Sequence, residues 1–230
     1  MFPVMLLGPS LAAVILAWIV DGKGGLQDLV SRMFRWRISI RWYAVLLLSP
    51  VLVLAVLLGL AAFLSPSYAP NRFWIGIFFG VPAGFLEEIG WSGFAFPKLC
   101  LQKNALAASL ILGVMWSIWH LPVIDYLGTA RPHGASLLSF FLAFAAAMTA
   151  MRVIISWIYT NTTSVWLAQL MHVSSTGSLV IFSPPGVSSR QEATWYGLYA
   201  AALWLAAAAV VKLFGRRLTQ TTANQTYLKF

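Results

Sequence analysis

Apolar residues run through this chain in blocks of about twenty, separated by short polar connections. A bilayer core takes about 20 predominantly apolar residues per helix. On that template about seven spans are expected, at roughly 2–20, 43–65, 73–96, 105–124, 136–159, 163–182 and 194–213. Each is too long and unbroken for a membrane β-strand, which would alternate over about ten residues. The expected fold is therefore all-α, a polytopic transmembrane helix bundle forming one integral membrane domain over residues 1–230. The first block has no positive lead and no small-residue cleavage site before Asp21, so it reads as a retained span.

Composition narrows the class. Hydrophobic residues make up 60% of the chain and charged ones 9%, with mean hydropathy +0.81. Soluble domains carry about 45–50% and about 25%. A water-soluble enzyme, a disordered chain and a nucleic-acid partner are excluded, and membrane lipid becomes the surrounding medium. The single cysteine, Cys100, excludes a disulfide framework and a thiolate metal cluster.

The net charge of +9 matters through its placement. One side would hold Lys23, Arg32, Arg35, Arg37, Arg41, Lys98, Lys103, Lys212, Arg216, Arg217 and Lys229. The other would hold Arg72, Arg131 and Arg190, with Arg152 inside a span. The positive-inside rule makes the first set cytoplasmic. A multi-pass protein of the cell membrane is expected, N-terminus out and C-terminus in. Between the first two spans, Leu26, Leu29, Val30, Met33 and Phe34 recur at i, i+3, i+4, i+7 and i+8, while Arg32 and Arg35 fall off that stripe. A basic amphipathic helix on the anionic inner leaflet is expected there.

Six residues are acidic, and two of them, Glu87 and Glu88, stand side by side in the third span. A charge near the bilayer centre costs about 2.5–3.5 kcal/mol on insertion scales, so such a pair marks a site facing the bundle interior. Neighbouring helix positions lie about 100° apart. One carboxylate can face a cavity while the other holds a neighbouring helix. Pro82 should kink this span above the pair, and Gly84, Gly90 and Gly93 should admit close helix approach.

Of the three histidines, His133 lies in a connecting loop and reads as solvent-exposed. His120 follows Trp116 by one turn and precedes Pro122, and His172 sits inside the sixth span. Two intramembrane imidazoles plus a carboxylate have two uses. They can bind a divalent metal such as zinc through Glu87, His120 and His172. Alternatively the carboxylate can take a proton from water while the imidazoles serve the oxyanion and leaving group. Both lead to hydrolysis. At 1.5 Å per residue, Glu87 and His172 fall at matching depths of about 15 and 14 Å from the cytoplasmic helix ends. His120, about 24 Å from Asn104, does not match.

Together these segments resemble the CAAX prenyl protease type II and bacteriocin-processing (CPBP, or ABI) family of intramembrane proteases. Glu87-Glu88-Ile89-Gly90-Trp91-Ser92-Gly93 through Pro97 fits its first motif, EEIGWRGxxxP, except that Ser92 stands at the arginine. Trp116 and His120-Leu121-Pro122 fit the second. Thr162, Ser164, Trp166 and His172 fit the third, with Thr176 in the place of its asparagine. The likeness covers roughly residues 20–185, with a protease-like core at about 43–185.

The resemblance implies that Glu87 activates water and that His120 and His172 serve proton transfer and the oxyanion, or hold a metal. Glu88 would ordinarily pair with the motif arginine; with Ser92 there it is either neutral, bonded to Ser92 or paired with another cation, for which Arg152 is the candidate within a span. Thr176 would offer a hydroxyl where the family has an amide. The implied activity is endopeptidase cleavage of a peptide or protein tail reached from the membrane. A catalytically silent scaffold or immunity protein of the same fold, and a proton-coupled transporter, are the competing readings.

Overall fold

The computed structural model describes residues 2–128 and 132–219. Arg131 and Lys229, two of the charges used for orientation, lie outside the described residues. The described chain forms α1 (Phe2–Met33), α2 (Ile40–Ala44), α3 (Leu48–Phe63), α4 (Ile77–Gly90), α5 (Phe96–Cys100), α6 (Ala105–Trp119), α7 (Leu137–Thr162), α8 (Val165–Phe182) and α9 (Ser189–Phe214). It is an all-α membrane helix bundle.

Among the described residues, five stretches are long and apolar enough to cross a bilayer: Pro3–Met33, Ile40–Phe63, Gly134–Thr162, Val165–Phe182 and Ser189–Phe214. Helix length does not support seven. The third expected span, 73–96, holds α4, 14 residues long, and then a π turn at Trp91–Ala95, and reaches only the first residue of α5. The fourth, α6, has 15 residues and stops at His120. Pro122 has no N–H to continue the ladder, and the chain goes on as a 3-10 turn over Leu121–Tyr126.

Helix starts follow local chemistry. Asn104 caps α6 by accepting from Ala107 N–H at 3.0 Å, and Ser164 caps α8 by accepting from Leu167 N–H at 3.1 Å. Ser188 and Gln191 form a reciprocal capping box on α9. Helices α7 and α8 are the most buried, while α1 and α3 present mostly outward surface. Close packing of α4 on its neighbours depends on glycine. A Cβ at Gly84 would come within 2.7 Å of the Gln169 carbonyl, and one at Gly90 within 2.5 Å of the Pro9 carbonyl.

Several expectations change. Pro82 lies within α4, and the departure from α geometry falls after the glutamates, at the π turn. The stripe from Leu26 to Phe34 continues α1 beyond a kink at Gly22 (φ 65°), then divides. Leu29 is buried and sits against Gly93, whereas Val30 and Phe34 face outward. A single lipid-facing amphipathic stripe is therefore not what this segment presents.

His133 is buried, not exposed. Its ring stacks on Phe140 with centroids 3.9 Å apart. Asp125 accepts its backbone N–H at 3.1 Å and lies 3.2 Å from Nδ1, while Nε2 is 3.4 Å from Glu192. Two carboxylates and an aromatic face draw the imidazole in. Hydrogen bonds from His133, first its backbone N–H and then its ring, hold the Asp125 carboxyl below its ordinary range.

Candidate active site

Glu87 and Glu88 occupy the last turn of α4 and are 2% and 0% exposed. Because they are adjacent, they reach different partners. Glu87 Oε2 accepts from the indole N–H of Trp116 on α6 at 2.9 Å and from that of Trp91 at 3.4 Å. Trp91 opens the π turn and follows Glu87 by four residues, one helical turn, so its indole faces the carboxylate.

Glu88 meets the cation that Ser92 cannot supply. Arg152, wholly buried on α7, donates from Nη2 to Oε1 at 2.7 Å and from Nη1 to Oε2 at 2.9 Å. This is a bidentate pair of the kind a planar guanidinium favours. Ser92 Oγ donates to the same Oε2, and Arg152 Nη1 lies 3.4 Å from that hydroxyl. The guanidinium also sits 4.5 Å from the centroid of Trp116. A buried charge is tolerated only when paired and hydrogen-bonded, and here both members of the pair are.

Both site histidines have their Nδ1 tied. His172 Nδ1 donates to Glu88 Oε1 at 3.0 Å. His120 Nδ1 lies 2.8 Å from the Trp116 carbonyl, to which it can only donate. In the neutral ring a proton on Nδ1 leaves Nε2 as the working lone pair. A carboxylate or carbonyl that fixes the imidazole in this way sets both its tautomer and its direction.

Trp116 connects these groups. Its ring lies 4.8 Å from that of His172 and 5.9 Å from that of His120, and its N–H bonds Glu87. This accounts for the mismatched depth of His120. Trp116 is level with Glu87, and His120 follows one turn later at the end of α6, half-buried beside Phe144. Thr176 lies one turn beyond His172 on α8 and is half-buried. Among the described residues, no group of three or more His, Cys, Asp or Glu side chains is arranged to hold a metal ion.

The task of the Trp91 indole is not legible in the sequence, although Trp91 lies inside the first motif. Arg32 reads in the sequence as a cytoplasmic charge. The guanidinium of Arg32 instead points inward, onto the Gly93 carbonyl and Tyr159.

Residues 69–177 match the Type II CAAX prenyl endopeptidase Rce1-like family. Glu87, Glu88, Ser92, Trp116, His120, Arg152, His172 and Thr176 all fall within that stretch. A CAAX prenyl protease 2 of Methanococcus maripaludis is 28% identical over 183 residues, which cover 73% of this chain and 66% of that protein. The chain thus spans just under two thirds of the length of that relative. Over the segment that builds the buried Glu–His site, this chain matches the Rce1-like CAAX protease family.

Proposed function

We propose that this protein is an intramembrane endopeptidase in which Glu87 activates water. The observation that carries the reading is the division of labour between the two glutamates. Glu88 is neutralised by Arg152 and bound to His172, while among the described residues Glu87 accepts from two indole N–H groups at one oxygen. Its second oxygen is left to take a proton. Water gives that proton to Glu87, its oxygen bonds to the scissile carbonyl carbon, and the C–N bond then breaks as a proton passes to the leaving amine. His120 and His172, each with Nδ1 fixed, act through Nε2. Once protonated, either imidazole can donate to the oxyanion or to the amine. Thr176 supplies a further hydroxyl near His172.

The substrate class is a peptide or protein tail presented from the membrane. The name of the Methanococcus relative makes a prenylated CAAX tail the first one to try. The N-terminus is placed outside and the C-terminus in the cytoplasm, on the distribution of Lys and Arg. A zinc-type mechanism would use Glu87, His120 and His172 as ligands, and a chelator separates the two routes.

Purified protein in lipid discs is offered fluorogenic peptides, prenylated and plain, beside Glu87→Gln and with or without chelator. Cleavage lost in Glu87→Gln but unaffected by chelator supports this mechanism. Loss with chelator moves the reading to a metal. Well-folded wild type that cleaves nothing supports the silent scaffold, for which Ser92 at the motif arginine is the motivating observation.

A further inference from the structure

Pro97 has no N–H, so the carbonyl four residues earlier, that of Gly93, has no α-helical donor. Gly93 also lies within the π turn Trp91–Ala95 and is itself buried. A buried carbonyl must find a partner elsewhere. Arg32 provides it from 61 residues away, with Nη1 2.8 Å from Gly93 O. The same guanidinium donates to Tyr159 Oη at 2.5 Å and pairs with Asp28 at 2.7 Å. Leu29, on the same helical segment, packs against Gly93 from the same side. Tyr159 follows Arg152 by seven residues, two turns along one face of α7. That face therefore holds Glu88 through Arg152 and holds Arg32 through Tyr159.

We propose that Arg32 is a positioning residue of the candidate site, locking the π turn through the carbonyl that Pro97 leaves open. The turn carries Trp91 and Ser92, the donors to Glu87 and Glu88. A π turn holds one residue more than an α turn. Losing the tie from Gly93 O through Arg32 to Tyr159 would free the turn to shift against α7, carrying those donors away from the carboxylates. Arg32 touches no reacting group; it acts through the turn. The catalytic consequence rests on the peptidase reading, whereas the locking of the turn does not.

The test compares full-length wild type, Arg32→Gln and Arg32→Lys in lipid discs, and repeats Arg32→Gln in a Pro97→Ala background. Hydrogen–deuterium exchange over residues 91–98 is read together with kcat and KM. Arg32→Gln is expected to speed exchange in that stretch but not in α9. It should lower kcat by about 10–100-fold, the cost of a misplacement of about 1 Å, with KM unchanged within about twofold. Arg32→Lys, which keeps a cationic donor, should recover most of the loss. Pro97→Ala restores an N–H that can reach Gly93 O, so Arg32→Gln should cost less in that background.

Unchanged exchange, faster exchange with unchanged kcat, or equal kcat losses in both backgrounds would each overturn the proposal. Should Arg32→Gln not fold, Tyr159→Phe is read instead: faster exchange at 91–98 supports the lock and unchanged exchange overturns it. If wild type cleaves no peptide, the peptidase reading fails, and the exchange data alone still decide whether Arg32 holds the turn.

Discussion

Arg152 and Glu88, 64 residues apart in the chain, form a fully buried bidentate ion pair at 2.7 and 2.9 Å. The guanidinium comes from α7 to a carboxylate on α4, where the family motif would place an arginine one turn along the same helix. The charge of Glu88 is balanced here by Arg152 from a different helix. Such a pair is indispensable once built, because removing one member strands the other in a low-dielectric interior.

Arg152→Gln should therefore lower stability by about 3–5 kcal/mol. Ser92→Arg alone should also destabilise, since it would crowd a second cation beside the first. Combining the two returns the arginine to the motif position and should recover most of the loss. Thermal melting of the three variants in one detergent checks this. A double variant no better than the worse single would contradict it.

Trp116→Phe keeps most of the ring and removes the N–H that Glu87 accepts at 2.9 Å. The bond orients the Glu87 carboxylate, so without it kcat should fall about tenfold or more, as misplacement of a catalytic group does. The protein should still fold, with its melting temperature lowered. Steady-state cleavage beside a melting curve separates the two effects, and an unchanged kcat would show that the indole does not tune Glu87.

At His172 the two ring nitrogens can be tested apart. Asparagine can present a side-chain N–H near the place of Nδ1, so His172→Asn should retain the bond to Glu88 and lose Nε2. Its stability should stay within about 1 kcal/mol of wild type while turnover disappears. His172→Ala should lose both. Similar melting of the two variants would count against the Nδ1–Glu88 bond as a structural element.

Away from the candidate site, Asp125 provides a pH signature. Folding lowers its carboxyl pKa, chiefly through the His133 backbone N–H. The contribution is thus present above the ordinary Asp range and is lost as pH falls through the lowered value. Asp125→Asn should melt below wild type near neutrality, and that gap should narrow as pH is taken down through the acid range. The effect will be small, because the Asp125 side chain is 42% exposed. A gap that widens on acidification would reverse the assignment.

Much of this protein is legible in its sequence because lipid makes polar residues conspicuous. Blocks of apolar residues specify a helix bundle, since only helices or closed barrels satisfy the backbone within a bilayer. Glu87, Glu88, His120, His172 and Arg152 stand out as expensive placements, but the sequence leaves Glu88 open between a neutral carboxyl, a bond to Ser92 and a pair with Arg152. Periodicity, however, does not register a π turn, so the apolar block 73–96 reads as one unbroken span. Nor does it say which way a side chain at a helix end will turn. Arg32 reads as one more cytoplasmic charge, yet partners far along the chain draw it inward, and His133 reads as a loop residue, yet Asp125, Phe140 and the distant Glu192 enclose it. The convergence of Glu87, His120 and His172 on Trp116 likewise depends on rotations about three helix axes. Those rotations are decided by packing contacts between distant segments, and only the tertiary structure contains them.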